Sequence, residues 1–92
     1  MKEVFIGGFA ISKQGHDFGR LYVIISKDNE YIYLVDGKIR TLQRPKKKKV
    51  KHVNLLNYYD SELIDKIKDN KVRDEDIKRA LKLYHRSRMQ DS

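Results

Sequence analysis

Short apolar runs alternate with polar turns over the first half of the chain, a pattern typical of β-strands. Gly7-Gly8 would bend the first run, Ser26–Asn29 and Asp36-Gly37 are turn and hairpin signals, and Pro45 should end the fourth strand. Five strands with tight turns predict a small SH3-like barrel. The five predicted strands are Val4–Ile11, Leu21–Ile25, Tyr31–Val35, Ile39–Leu42 and Val50–Leu55.

From Asp60 onward the apolar residues recur at helical spacing, which predicts two short helices separated by Asn70-Lys71. Asp60 or Ser61 would cap the first helix, and Asp74 would cap the second. The predicted fold class is therefore β+α, a five-stranded SH3-like barrel followed by two C-terminal helices. We place the barrel at residues 1–56, a helical extension packed on it at 57–88, and a frayed tail at 89–92.

Length and composition exclude several classes of protein. The chain has 92 residues, enough for one domain, and no apolar run near the ~20 residues of a membrane span. Its first residues lack the long apolar stretch of a signal peptide. The absence of cysteine excludes disulfides, thiolate metal sites and cysteine nucleophiles. We expect a soluble, cytoplasmic monomer that needs no cofactor.

The charge is strongly positive and unevenly distributed. The formal net charge is +8, which favours a polyanionic partner. Residues 1–53 carry twelve Lys and Arg against five Asp and Glu, whereas residues 54–92 carry nine against eight. The partner should therefore bind the first half.

A dense basic run follows the third predicted strand, with eight cations in fourteen residues and no acid among them. Such a run can be a solvated loop, but the mutual repulsion of so many cations favours contact with an anion, and we favour nucleic acid. Lysine side chains would supply affinity more than sequence specificity. A membrane surface is a weaker alternative, because no basic amphipathic helix or lipidation signal accompanies the run. The eight are Lys38, Arg40, Arg44, Lys46, Lys47, Lys48, Lys49 and Lys51.

The segment Ser12–Arg20 predicts a tight basic loop between two strands. Its two glycines could simply make a hairpin turn, but three basic residues in the same turn favour phosphate contact. Asp17 would hold the loop by accepting bonds from nearby backbone N–H groups. Phe18 is the best candidate to stack on a base, while the strand aromatics Phe9, Tyr22, Tyr31 and Tyr33 belong mostly to the core. The predicted contact residues of the loop are Lys13, Gly15, His16, Phe18, Gly19 and Arg20.

No group of residues resembles an active site or a metal site. His16-Asp17 has no nucleophile beside it, and three scattered histidines without cysteine do not form a recognisable metal site. Asp74-Glu75-Asp76 suits the start of a helix. We interpret the basic residues of the second helix as an ordinary solvated face; they are Lys78, Arg79, Lys82, Arg86 and Arg88.

Four segments occur in an order and spacing that resemble a known family: Ser12-Lys13-x-Gly15-x-Asp17-x-Gly19-Arg20, Asp36-Gly37-Lys38-Ile39-Arg40, Pro45-Lys46-Lys47-Lys48-Lys49 and Asp76-Ile77-Lys78-Arg79-Ala80-Leu81. They resemble the bacterial KOW-domain RNA-binding proteins related to the fourteenth large-subunit ribosomal protein of archaea and eukaryotes. The resemblance implies an SH3-like barrel with a helical tail, and RNA bound through the KOW loop and the basic segment. Arg73 departs from it, since such sequences often carry a helix-capping Thr or Ser there.

These observations predict a non-catalytic RNA-binding protein whose target is structured, ribosomal RNA. An alternative is a protein-interaction module that docks on ribosomal proteins or polymerase through a sheet edge or the helical tail. A third is non-specific DNA binding, which charge alone does not separate from RNA binding.

Overall fold

The computed structural model describes residues 3–90 and consists of five strands followed by two α-helices. A single 3₁₀ turn, Val50–His52, precedes the last strand. All strand pairs are antiparallel in one sheet, with the order β4-β3-β2-β1-β5. The elements are β1 Gly8–Ser12, β2 Leu21–Asp28, β3 Tyr31–Val35, β4 Lys46–Lys49, β5 Val53–Tyr59, α1 Ser61–Lys68 and α2 Asp74–Gln90. This confirms the β+α class.

The fourth strand was predicted wrongly. Residues 36–40 form a closed turn, because the Asp36 carboxylate accepts the backbone N–H groups of Lys38 and Arg40, each at 2.9 Å. The carbonyl of Arg40 in turn accepts the N–H groups of Asp36 and Gly37. The segment Ile39–Leu42 therefore does not pair with β3. The lysines after Pro45 pair with it instead and form β4.

Four other boundaries differ from the prediction. The fifth strand spans Val53–Tyr59 instead of Val50–Leu55, because Val50–His52 forms the 3₁₀ turn. β1 begins at Gly8, since Gly7 has φ +93° and its N–H bonds to the carbonyl of Ile24. β2 continues to Asp28, so the turn shifts to Asn29, whose φ is +55°. α2 extends through Gln90, so the predicted frayed tail is helical at residues 89–90, while 91–92 lie outside the described residues.

The sheet buries apolar side chains on both faces because successive residues of a strand point to opposite sides. One cluster contains Ala10, Tyr22, Ile24, Ile32, Leu34 and Val53. The other joins the sheet to both helices and contains Phe9, Val23, Val35, Leu63, Ile77, Ala80, Leu81 and Tyr84. Phe9 and Tyr22 are thus core residues as predicted, whereas Tyr31 and Tyr33 are only half-buried.

Polar contacts fix where the helices begin. Asp60 caps α1 as predicted, since its carboxylate accepts the N–H of Leu63 at 3.1 Å. Asp74 does not cap α2; it is the first helical residue, and its carboxylate accepts the N–H of Leu42 at 2.9 Å. Asp76 instead accepts the N–H of Arg73 at 2.9 Å. Within residues 3–90, neither helix is long and apolar enough to cross a membrane.

Candidate nucleic-acid interface

The β1–β2 loop, residues 13–20, is closed at its base by backbone hydrogen bonds between Ser12 and the end of the loop. The N–H of Gly19 donates to the carbonyl of Ser12 at 2.8 Å, and that of Ser12 donates to the carbonyl of Arg20 at 3.0 Å. Gly15 and Gly19 have φ values of +90° and +85°, which side chains rarely adopt. The two glycines are therefore required by the shape of the loop.

Asp17 belongs to this loop, is buried, and accepts hydrogen bonds from three side chains. Its partners are the hydroxyl of Ser12 at 2.8 Å, the hydroxyl of Tyr22 at 2.9 Å and the ammonium of Lys48 at 2.7 Å. The prediction that Asp17 bonds mainly to backbone N–H groups is therefore wrong about its partners. It remains right that this carboxylate holds the loop.

The surroundings of Asp17 shift two pKa values in opposite directions. Burial alone would raise the pKa of Asp17, but the hydrogen bonds from Lys48, Ser12 and Tyr22 and the charge of Lys46 hold it well below its usual value. Burial and the neighbouring Asp17 carboxylate raise the pKa of Tyr22 to about 12. Asp17 is therefore ionised, and the neutral hydroxyl of Tyr22 donates a hydrogen bond to its carboxylate.

The side chains of the four consecutive lysines of β4 alternate between the two sides of the strand. The ammonium of Lys48 is directed to the β1–β2 loop, where it donates to Asp17, to the Ser12 hydroxyl at 2.7 Å and to the Gln14 carbonyl at 2.6 Å. The ammonium of Lys46 lies 3.5 Å from Asp17 on the same side. Lys48 is only 9% exposed, and its ammonium has three internal partners, so the structure does not present it to a ligand as the sequence predicted. It anchors the loop to β4.

The other two lysines, Lys47 and Lys49, lie beside an aromatic ring. Their ammonium groups are 4.5 and 5.9 Å from the centre of the Tyr31 ring, a cation–π arrangement. Lys49 is also 3.7 Å from Glu30. Sequence reasoning assigned Tyr31 to the core, although the period-2 alternation of β3 was a signal that could have placed it on a half-exposed face. Lysines on an edge strand also discourage pairing with another sheet, so this strand has a structural use as well.

The remaining loop side chains face solvent. Lys13, His16 and Arg20 are exposed, and Phe18 is 72% exposed, which is unusual for a large apolar side chain. Lys13 also lines a surface groove together with Lys49 and Lys51. The fold thus brings the loop and the end of the basic run to one surface.

The three earlier cations of the run lie elsewhere. Lys38, Arg40 and Arg44 belong to the 36–45 segment, which is bonded to the start of α2 through Leu42. No ion pair among residues 3–90 involves them.

Part of the positive charge of the basic run is balanced within the protein, because Asp17 and Glu30 pair with three of its lysines. The sequence had indicated no acidic partner for this run. Among the Lys and Arg residues predicted as contacts, exposure and freedom from ion pairs within residues 3–90 define a smaller set, which we call the six free cations. This set can meet phosphates at no cost in lost internal ion pairs. Its members are Lys13, Arg20, Lys38, Arg44, Lys47 and Lys51.

No model of a known protein family matches the chain, and no curated protein matches it either. The interface is therefore described by its own geometry and charge. It combines a rigid basic loop, an exposed phenylalanine and a lysine-bearing edge strand, a combination suited to binding an extended polyanion.

Proposed function

We propose that the protein is a non-catalytic RNA-binding protein that contacts structured RNA through the β1–β2 loop and the exposed cations of residues 38–51. The carrying observation is the buried Asp17–Lys48 pair, which fixes the loop while Lys13, Arg20 and Phe18 remain exposed. A surface held rigid before binding loses little conformational entropy when a ligand binds. The resemblance to KOW-domain proteins favours ribosomal RNA as the target.

An SH3-like barrel is the architecture we propose for the sheet. The 3₁₀ turn Val50–His52 directly joins the edge strands β4 and β5. Lys48 on β4 bonds across the sheet to Gln14 in the β1–β2 loop. Both observations support a sheet curled towards closure, as expected for a KOW domain.

Each part of the loop has a distinct role in the proposed binding mode. Lys13 and Arg20 neutralise phosphates, while Gly19, where a Cβ would meet no atom within 4 Å, leaves room for the nucleic-acid backbone to approach. Phe18 stacks on an unpaired base, which contributes about 1–3 kcal/mol per base. Phosphate contacts by flexible lysines provide affinity, so recognition rests on RNA shape more than on sequence.

The test is the salt dependence of binding to a fluorescently labelled ribosomal RNA hairpin, measured by anisotropy over a range of about 50 to 300 mM KCl. If the six free cations each meet a phosphate, they contribute a log–log slope of about −4 to −5. Lys13→Gln/Arg20→Gln should flatten the slope by about 1.4–1.8. Phe18→Ala should weaken binding without changing the slope, because stacking releases no counterions.

The matched control is Lys68→Gln/Lys71→Gln, which removes the same charge from exposed lysines on and after α1. If the control weakens binding as much as the loop variant, net charge rather than the loop determines affinity, and the proposal fails. Lys48 is excluded from binding tests, since its substitution would disturb the loop itself. An equally tight complex with duplex DNA at the same salt concentration would instead support non-specific DNA binding.

Docking on a protein is the second candidate function, supported by one apolar surface. Phe5 and Tyr59 are 62% and 64% exposed and border the same groove beside β5, which is an edge strand. An edge strand next to exposed aromatics can accept a strand from a partner. Co-sedimentation with ribosomes that survives nuclease treatment would favour this function, whereas nuclease-sensitive co-sedimentation favours RNA.

A further inference from the structure

A second basic surface lies between α2 and the 36–40 turn. Lys78, Lys82 and His85 occur at i, i+4 and i+7, which places them along one face of α2. Lys38 faces them across a shallow groove that these residues line together with Asp36. The sequence alone indicated an ordinary solvated helix face, because the contribution of Lys38 requires the tertiary structure.

The two sides of this α2 groove are held together by close backbone contacts. A Cβ atom at Gly37 would lie 2.6 Å from the carbonyl oxygen of Asp74, so only glycine allows this approach. The Asp74 carboxylate also accepts the N–H of Leu42. Lys38 is therefore fixed close to Lys78 by the fold.

The cations of the groove outnumber its one acidic side chain, Asp36. Among residues 3–90, none of the lysines lining the groove forms an ion pair. The carboxylate of Asp36 accepts two backbone N–H groups and keeps its charge, so one negative charge faces the three lysines Lys38, Lys78 and Lys82. The nearby Asp76 is bonded to Lys66 at 2.8 Å and to Arg73. An external anion would therefore relieve the repulsion within the groove.

The α2 groove and the β1–β2 loop lie at the same end of the sheet. Val35, the last residue of β3, pairs with Val23 near the start of β2, and the loop ends just before β2. The charge of Asp36 also acts on Tyr22, whose hydroxyl is bonded to Asp17 in the loop. The 36–40 turn thus lies between the loop and α2.

We infer that Lys38, Lys78, Lys82 and His85 form a second binding surface for phosphates, and that an RNA strand bound at the β1–β2 loop continues across it. This inference rests on the proposed RNA-binding function. The stripe from Lys78 to His85 is about 10 Å long, at 1.5 Å of helix per residue.

The test compares Lys78→Gln/Lys82→Gln with the equally charged control Lys68→Gln/Lys71→Gln in the full chain. Two lost phosphate contacts should flatten the salt slope by about 1.4–1.8 and weaken binding about 15- to 30-fold at ~0.15 M salt. The control should change either quantity much less. Glutamine favours helix, and circular dichroism checks that the variants fold.

A direct footprint accompanies the affinity measurement. Acetylation of lysines, read by mass spectrometry with and without the RNA hairpin, should show protection of Lys78 and Lys82 and none of Lys68. Equal slopes for the two double variants, or acetylation of Lys78 and Lys82 unchanged by RNA, would overturn the inference.

The inference and the proposed function fail in different ways. If the wild-type protein shows no salt-dependent binding to RNA, the proposed function itself is wrong. If it binds and Lys13→Gln/Arg20→Gln weakens binding while Lys78→Gln/Lys82→Gln behaves like the control, only the second surface is wrong. Protection of Lys78 and Lys82 by an acidic ribosomal protein, but not by RNA, would assign the groove to a protein partner and also overturn the inference.

Discussion

Replacing Asp17 by asparagine is the sharpest test of how the loop is held. The change keeps the shape of the side chain but removes the charge that faces Lys48, whose side chain is 9% exposed. Removing one member of a buried ion pair leaves the other charge uncompensated and costs about 3–5 kcal/mol. Because the asparagine amide could still accept one hydrogen bond, we expect about 3 kcal/mol, a lowering of Tm by roughly 12–24 °C.

Urea denaturation followed by circular dichroism measures this free energy of unfolding. Asp28→Asn is the matched control, since Asp28 is exposed and forms no ion pair within residues 3–90; it should change stability by less than about 0.5 kcal/mol. Asp17→Asn/Lys48→Met should recover much of the loss, because it leaves no unpaired buried charge. A loss below about 1 kcal/mol for Asp17→Asn, or no recovery in the double variant, would refute the reasoning.

The same variant has a defined pH dependence. The pKa of Asp17 is lower in the folded than in the unfolded protein, so its contribution to stability is complete above the unfolded value of about 3.9. That contribution is lost as the pH falls from about 4 towards the folded pKa. The difference in unfolding free energy between wild type and Asp17→Asn should therefore shrink in acid. A difference that stays constant from about pH 7 to about pH 2 would contradict the assignment.

Three further changes test other parts of the fold. Gly37→Ala should destabilise the protein by about 2 kcal/mol or more in urea denaturation, because φ is +80° and the new Cβ would meet the carbonyl of Asp74; a neutral effect would contradict the close approach. Tyr22→Phe should remove one tyrosine's absorbance change near pH 12 from a spectrophotometric titration, since the folded-state pKa is raised to about 12; an unaltered curve would exclude Tyr22 as its source. Arg73→Ser should raise the free energy of unfolding by about 0.5–1 kcal/mol, by completing a capping box with Asp76, and should fail to do so if α2 starts elsewhere.

The sequence predicted those parts of the fold that depend on local pattern. The strands at Leu21 and Tyr31 and both helices follow from apolar periodicity, and the cap at Asp60 follows from side-chain chemistry. The lysine strand β4 has no such signal, because four lysines have little intrinsic preference for a sheet. They form a strand through pairing with β3 and an anion, Asp17, that lies 31 residues away from Lys48 in the chain.

The candidate site also has a part that could be predicted from the sequence and a part that could not. The β1–β2 loop was recognisable because its two glycines are needed for its backbone, and both have positive φ. Which lysines remain exposed was not recognisable, since that depends on where Asp17 and Glu30 lie in space. The α2 groove likewise requires Lys38 and Lys78, 40 positions apart in the sequence, to lie across one groove.

A measurement of the salt slope would connect the loop and the α2 groove quantitatively. The six free cations contribute a slope of about −4 to −5, and adding Lys78 and Lys82 makes it about −6 to −7. A wild-type slope in the steeper range that returns to the shallower one in Lys78→Gln/Lys82→Gln requires both surfaces to bind the same RNA. A wild-type slope already near about −4 would leave no phosphates for α2. Lys46 and Lys48 pair with Asp17 and are therefore not counted as phosphate contacts in either of these slopes. The buried carboxylate thus sets an upper limit on the number of phosphates that the basic run can bind.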